Sequence, residues 1–378
     1  MGSVQKRADG KWRARYRDAA GKEHARHFGR KLDAQRWVES QEVAKSRGDW
    51  IDPALSRVTV GAWAAEWLAG QVQLKPSTRA RYAGVLRVQV LPTWDRVPLQ
   101  AVTHTDVSRW VAQLVADGLG ARTVHKAHRV LSLVLDLAVR DGRLARNPAV
   151  GVRLPRATDA RKQFLTAAEV AALADASGRD RVLVYVLAYC GLRFGEAAGL
   201  RIGDVDLARR RLRVEHSLSD VDGHLVATTP KSHHAREVPV PSFVVAMLAD
   251  AVAGLPADAP LFTGRDGGLL RGNNFRRRSF DRAASSVGLP GLTPHELRHT
   301  AASLAVSAGA NVKAVQRMLG HASAAMTLDV YAGLFGDDLD AVADRLDETG
   351  RAAAADHVRT DDPEEGDDDD SIDTPRPA

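Results

Sequence analysis

The sequence predicts an α+β protein of several domains: a small three-stranded sheet with one helix, then an all-α unit, then a mostly α domain carrying a small antiparallel sheet. Three observations predict it. Apolar and basic residues alternate strictly through Lys11–Arg17, the pattern of a half-buried strand. From residue 57 to about 153, apolar residues recur at helical spacing. Beyond residue 163, capped helical segments flank short β-branched runs. At 378 residues the chain is long enough for two or three domains with cores of their own.

In residues 1–53, Asp9-Gly10 reads as a hairpin turn between a short strand near Val4–Arg7 and the strand Lys11–Arg17. Alternation puts Trp12, Ala14 and Tyr16 on one face and Lys11, Arg13, Arg15 and Arg17 on the other. Gly21 turns the chain into a third strand ending at Phe28, and the amphipathic helix Leu32–Ser46 covers the apolar face. The basic face alone reads equally as a solvated surface. Asp52-Pro53 makes a linker.

In residues 57–153, Thr59, Ser77 and Thr103 are the expected helix caps, and Ala121–Asp141 is a fourth helix. The stripes of Trp63, Trp67, Val107, Trp110, Val130 and Leu131 are core, while Arg79 and Lys126 fall off them. Asn147-Pro148 ends the unit, and a basic segment containing Arg156, Arg161 and Lys162 follows.

Residues 163–350 open with a capping box, Thr166 to Glu169, and two helices lead to Gly191-Leu192-Arg193. Three strands are predicted at Arg211–Ser219, Leu225–Thr229 and Arg236–Val240, with Lys231 displayed on the second turn. Helices follow at Phe243–Leu248 and Asn273–Val287. Thr293, Pro294 and Glu296 then supply the cap, first-turn proline and capping-box glutamate of a helix that Gly309 ends. A short helix Val312–Leu319 stops at Gly320-His321, and a third, from about Ser323, carries Tyr331.

Charge narrows the class of function. Residues 351–378 hold ten acidic and three basic side chains, so of the formal +6 the preceding 350 residues carry about +13. That surplus is expected of a nucleic-acid binder, and the acidic tail of a disordered segment. The single cysteine, Cys190, excludes an internal disulfide framework and reads as a small buried side chain. No apolar run approaches about 18 residues and Met1–Lys6 lacks the core of a signal peptide, so a cytoplasmic protein without membrane contact is expected.

His295 and Arg298, three apart on one helix, can reach one ligand together, and an imidazole beside a guanidinium fork suits a phosphate. The run His295-Glu296-Leu297-Arg298-His299 also satisfies H-E-x-x-H, the zinc-protease pattern. Against zinc stand the capping role of Glu296 and the first-turn position of His295. Each of these residues alone reads as an ordinary polar position.

His295-x-x-Arg298, Leu319-Gly320-His321 and Tyr331 ten residues later together resemble the C-terminal half of the tyrosine recombinase (phage integrase) signature. The earlier half is matched by Arg193 in Gly191-Leu192-Arg193-Phe194-Gly195-Glu196 and by Lys231 in Thr229-Pro230-Lys231-Ser232. The resemblance spans Phe164–Glu348. It departs at Glu296, where aspartate is commoner, and at Pro230, where threonine is.

What the resemblance implies is a site-specific DNA recombinase of a phage or other mobile element. Arg193, Arg298 and His321 would clamp the phosphate, Tyr331 would attack it, His295 would take the phenolic proton and Lys231 would protonate the leaving oxygen, with Glu196 and Glu296 in support. Neither a cofactor nor a metal is implied. Residues 1–53 are similar to the arm-type DNA-binding domain of phage integrases, with Arg13, Arg15 and Arg17 on DNA. Residues 57–153 are similar to the SAM-like core-binding domain; Arg79 and Lys126, with Lys162 beyond it, are candidate contacts. The implied partners are double-stranded attachment sites, three further copies in a tetramer, a DNA-bending host factor and a directionality factor. An apolar series at Leu334, Leu339, Val342 and Leu346 would pack on a neighbouring subunit or return to its own core. A single-duplex topoisomerase of type IB, a binding protein with a vestigial site and a zinc hydrolase are the competing readings.

Overall fold

The computed structural model describes residues 2–18, 21–47, 50–157, 163–229, 235–331, 343–344 and 346–351. The chain divides into two units, residues 1–161 with 221–224, and residues 162–220 with 225–378. Among the described residues no helix is long and apolar enough to cross a membrane.

In the first unit, β1 (Ser3–Lys6), β2 (Trp12–Arg17) and β3 (Glu23–Phe28) form an antiparallel sheet in that order. The register sets Arg13 between Gln5 and His27, Arg15 between Ser3 and Ala25, and Arg17 opposite Glu23. Period-two alternation therefore gathers these side chains on one face. α1 (Lys31–Ser46) covers the other, with Ala34, Trp37 and Val38 packed on Trp12, Ala14 and Phe28. Tyr16, 1% exposed, accepts a hydrogen bond from the Trp50 indole at 2.8 Å and stacks on His24.

The helices of this unit are α2 (Val60–Ala69), α3 (Pro76–Val85), α4 (Leu91–Trp94), α5 (His104–Ala116) and α6 (Ala121–Arg140). Thr59 and Thr103 cap α2 and α5, accepting from the N–H groups of Ala62 and Asp106 at 3.2 Å. Ser77 does not cap α3. Pro76 takes the first helical position, where its fixed φ and missing N–H cost nothing, and this moves the cap back to Lys75. Between α3 and α4 the residues Leu86–Val90 widen into a π turn. Pro92 has no N–H to offer Val88, so the ladder opens one turn ahead of it. Trp63, Trp67, Trp94 and Trp110 are buried with Leu131 and Leu135, and the Trp63 indole donates to the Val134 carbonyl at 3.2 Å, tying α2 to α6.

The second unit runs α7 (Ala167–Ala176), α8 (Arg181–Cys190), α9 (Phe194–Ala198), β4 (Val205–Asp206), β5 (Arg211–Val214), β6 (Ser217–Val221), β7 (His224–Thr228), β8 (Arg236–Pro239), α10 (Ser242–Val252), α11 (Gly272–Phe275), α12 (Asp281–Ser286), α13 (Pro294–Ser307), α14 (Val312–Leu319) and α15 (Ala324–Tyr331). Strands pair as β4-β5-β8 and as β6-β7. The single strand predicted at Arg211–Ser219 is thus two, broken at Glu215-His216. The break lays backbone against α9: a Cβ on Gly195 would stand 2.5 Å from the Leu218 carbonyl, and one on Gly199 3.3 Å from that of His216. The helix predicted at Asn273–Val287 likewise carries a π turn, Arg276–Phe280, which lets Phe275 and Phe280 both face the core with ring centroids 5.5 Å apart.

α8 is the buried centre of this unit, with Leu183 through Ala188 all within the core. It ends at Gly191, whose φ of +65° is the left-handed cap a glycine takes without strain. A Cβ there would lie 2.7 Å from Leu319 Cδ2 and 3.3 Å from Ala301 Cβ, so the ends of α8 and α14 meet on α13 only because position 191 has no side chain. Leu334, Leu339, Val342 and the acidic tail beyond residue 351 lie outside the described residues, and Leu346 is exposed. Gly191→Ala is expected to lower the unfolding free energy by roughly 2 kcal/mol, from backbone strain plus the forced shift of Leu319, read as the urea midpoint.

Candidate active site

Glu196 has no exposed surface, and a carboxylate so placed must be paired or neutralised. It is paired twice. Arg193, the residue before α9, gives it a backbone N–H at 2.9 Å and a guanidinium nitrogen at 2.8 Å. Arg236, at the start of β8, adds two parallel bonds at 2.7 and 3.0 Å. Burial pushes the Glu196 carboxyl up, but hydrogen bonding and charge from Arg236, then Arg193, hold it at about 2. One carboxylate against two guanidiniums leaves a net positive charge, with Arg193 partly exposed at its edge.

Arg298 is 2% exposed on α13. Its two terminal nitrogens donate to the carbonyls of Gly191 and Leu319, each at 2.6 Å. These carbonyls belong to the C-terminal ends of α8 and α14, where partial negative charge collects and a cation is favoured. Two helix ends thus fix the position and plane of the guanidinium.

Gly320 ends α14 in the left-handed conformation, φ +64°, and hands the chain to His321. The imidazole Nδ1 lies 3.0 Å from the hydroxyl of Thr327, which is fully buried. Burial pushes the His321 pKa down, and Arg298, Arg193, His299 and Arg236 push it further, to about 4. The ring is therefore neutral at pH 7, within the field of both arginines. His299, one turn along α13 from the exposed His295, meets the His295 ring edge to face at 5.0 Å.

Of the six catalytic candidates, Arg193, Arg298 and His321 are brought together. His295 stands at the edge of the cluster through His299. Tyr331 closes α15 as its last helical residue, and its side chain lies outside the described set. Lys231 and Lys162 are also outside it. Glu296 gives its carboxylate to the backbone N–H of Thr293 at 2.7 Å, which keeps it at the helix cap rather than over His295 and His299. Among the described residues no three histidine, cysteine, aspartate or glutamate side chains gather as a metal site. Arg79 and Lys126 are exposed, as is Arg17, while Arg13 and Arg15 are half-exposed. Arg236, His299 and Thr327 belong to the cluster and were not predicted. The buried Glu196 was the available signal for Arg236, since it demands more than one cation.

Residues 159–335 match the phage integrase family. The integrase of Mycobacterium phage D29 is 29% identical over 320 residues, 80% of this chain and 84% of the relative. The tyrosine recombinase XerC of Nitrobacter winogradskyi is 29% identical over 324 residues, 79% of this chain and 97% of the relative. In fold, the chain is similar to the Tn1549 transposon integrase in complex with a circular intermediate DNA, with a TM-score of 0.66 at 24% identity, covering 76% of this chain and 99% of that one. It is also similar to the lambda integrase tetramer bound to a Holliday junction, with a TM-score of 0.56 at 20% identity, covering 86% and 94%.

Both shifted groups carry a pH signature. His321 titrates in the folded chain at about 4, below its ordinary 6.5, so its contribution to stability is complete above about pH 6.5 and is lost as pH falls to 4. Glu196, at about 2 against 4.5, contributes fully above 4.5 and loses that as pH falls to 2. Replacing His321→Gln is expected to flatten the decline in urea midpoint across the upper window and leave the lower one in place.

Proposed function

The chain belongs to the phage integrase family of tyrosine recombinases, and from this premise we propose how it carries out site-specific recombination of a phage or other mobile element. The observation that supports the reading best is the convergence of Arg193, Arg298 and a neutral His321, the last of them just ahead of α15 in the chain.

Attack on a phosphodiester builds negative charge on the nonbridging oxygens, and fixed cations there stabilise the transition state more than the ground state. Arg193 and Arg298 supply that charge. In the tautomer in which Nδ1 accepts from Thr327, 3.0 Å away, His321 carries its proton on Nε2 and gives a hydrogen bond to the same oxygens. Tyr331 is the nucleophile. Its phenol, with an ordinary pKa near about 10, passes its proton to His295 as the tyrosyl–phosphate bond forms. The bond to the 5′ oxygen breaks, and Lys231 protonates that leaving group. The 3′-phosphotyrosyl ester keeps the energy of the broken bond, so a 5′ hydroxyl of a second duplex reverses the chemistry without ATP or metal.

The duplex is held, in this reading, by three surfaces: the Arg13, Arg15 and Arg17 face of β2, the basic side of the helices around Arg79 and Lys126, and the segment through Lys162. Two strand exchanges need four protomers, and the tetramer of lambda integrase on a Holliday junction supports that stoichiometry by likeness of fold. Attachment sites, a DNA-bending factor and a directionality factor complete the system.

Two measurements test this. Nicked duplex carrying the element's own flanking sequence, incubated in EDTA, is expected to yield a detergent-resistant protein–DNA adduct with wild type and none with Tyr331→Phe. No wild-type adduct on DNA that is bound would leave a binding protein, and an adduct in Tyr331→Phe would mean another nucleophile. The second concerns β2. Arg13, Arg15 and Arg17 stand 3.2, 4.0 and 3.9 Å from Glu23, where DNA phosphate would compete. Glu23→Gln is expected to strengthen duplex binding at low salt by about threefold. Arg15→Ala is expected to weaken it and to lower the slope of log K against log salt by about 0.9.

A further inference from the structure

Arg236 has no part in the chemistry above, yet three pieces of the site rest on it. Its side chain is 10% exposed. Its terminal nitrogens bond both oxygens of Glu196, and Nε donates to the Met318 carbonyl at 3.3 Å. It also lies flat under the turn that carries His321: a Cβ on Gly320 would stand 2.9 Å from Arg236 Cδ and Nε. A strand of the sheet is thereby tied to the start of α9, just after Arg193, and to the end of α14, just before His321.

The charge balance shows what this arrangement does. Glu196 bonds the Arg193 guanidinium directly. Were Arg193 its sole cation, the pair would be neutral and the guanidinium drawn inward. With Arg236 balancing the carboxylate, the charge of Arg193 stays available to an anion. We propose that Arg236 is a positioning residue for recombination, resting on the reading of Arg193 and His321 as phosphate ligands: it fixes Arg193 through Glu196 and His321 through the Gly320 turn, without touching the phosphate.

A fold staple and a direct phosphate ligand are the two other roles a buried arginine could have here. Single-turnover cleavage of nicked duplex, duplex affinity and the thermal midpoint are measured for wild type, Arg236→Ala and Arg236→Lys. In the same proteins without DNA, the titration midpoint of His321 is followed by NMR. Arg236→Ala is expected to cleave roughly 10²-fold more slowly, the scale of a misplaced catalytic group, with duplex affinity unchanged. Arg236→Lys keeps the charge but not the two-pronged bond, and is expected to fall between. The His321 midpoint in Arg236→Ala rises, because a nearby cation is gone and the Glu196 carboxylate is left less balanced.

Wild-type cleavage rates in both folded variants overturn the proposal. Affinity falling in proportion to rate overturns it in favour of direct phosphate contact. An unchanged His321 midpoint in Arg236→Ala overturns the link to the Gly320 turn. If Arg236→Ala fails to fold, the rate of Arg236→Lys decides alone: reduced at full affinity it supports positioning, and unchanged it reduces Arg236 to a staple. Absence of a wild-type Tyr331 adduct would sink the chemical reading instead, and the His321 titration, which needs no DNA, would still judge the role of Arg236.

Discussion

A single carboxylate with no exposed surface, Glu196, sets where Arg193 and Arg236 stand in the site. Burying one charge is so costly that every element around it has to deliver a partner in the right place. α9 delivers Arg193 by backbone and side chain, and β8 delivers Arg236 with both prongs. Removing either cation would leave the carboxylate underpaired in a dry interior, so the surrounding chain has little freedom to settle in another arrangement. The interaction matters here less as a source of stability than as a way of excluding alternatives.

The second arginine is held by different means. Arg298 is seated on the carbonyls of Gly191 and Leu319, the ends of two helices. Glycine makes that seating possible, because Gly191 lets α8 stop against Leu319 and Gly320 turns the chain over Arg236 toward His321. Helix-end carbonyls and one shared carboxylate orient the cations before any anion arrives, which is what electrostatic preorganisation requires.

Much of this could be read from the residues. Thr293, Pro294 and Glu296 announced the start of α13, and Gly320 marked the end of α14 at Leu319. Alternation alone gave the two faces of β2, since a strand repeats every second residue whatever its partner. What local pattern could not carry was any bond between distant residues. Arg236 sits 40 residues from Glu196 and looked like one more polar position on a strand. His299 entered only through a zinc pattern, although it acts on the charge of His321. The π turns were missed because helical periodicity assumes an unbroken ladder, though Pro92 and the five-residue spacing of Phe275 and Phe280 were both visible. Ser77 carries the side-chain oxygen typical of a cap, but Pro76 takes the first helical position and leaves the cap at Lys75.

The two carbonyls that seat Arg298 lie 107 residues before it and 21 residues after it. A chain growing from its N-terminus therefore possesses Arg193 and Glu196 long before Arg298 exists, and possesses Arg298 before its second anchor at Leu319 has been made. Until α14 is laid down and capped, one arginine of the pair has half its seat, and Tyr331 is still to come. In the reading that takes Tyr331 as the nucleophile, the parts of the site are all present only once the chain has passed α15.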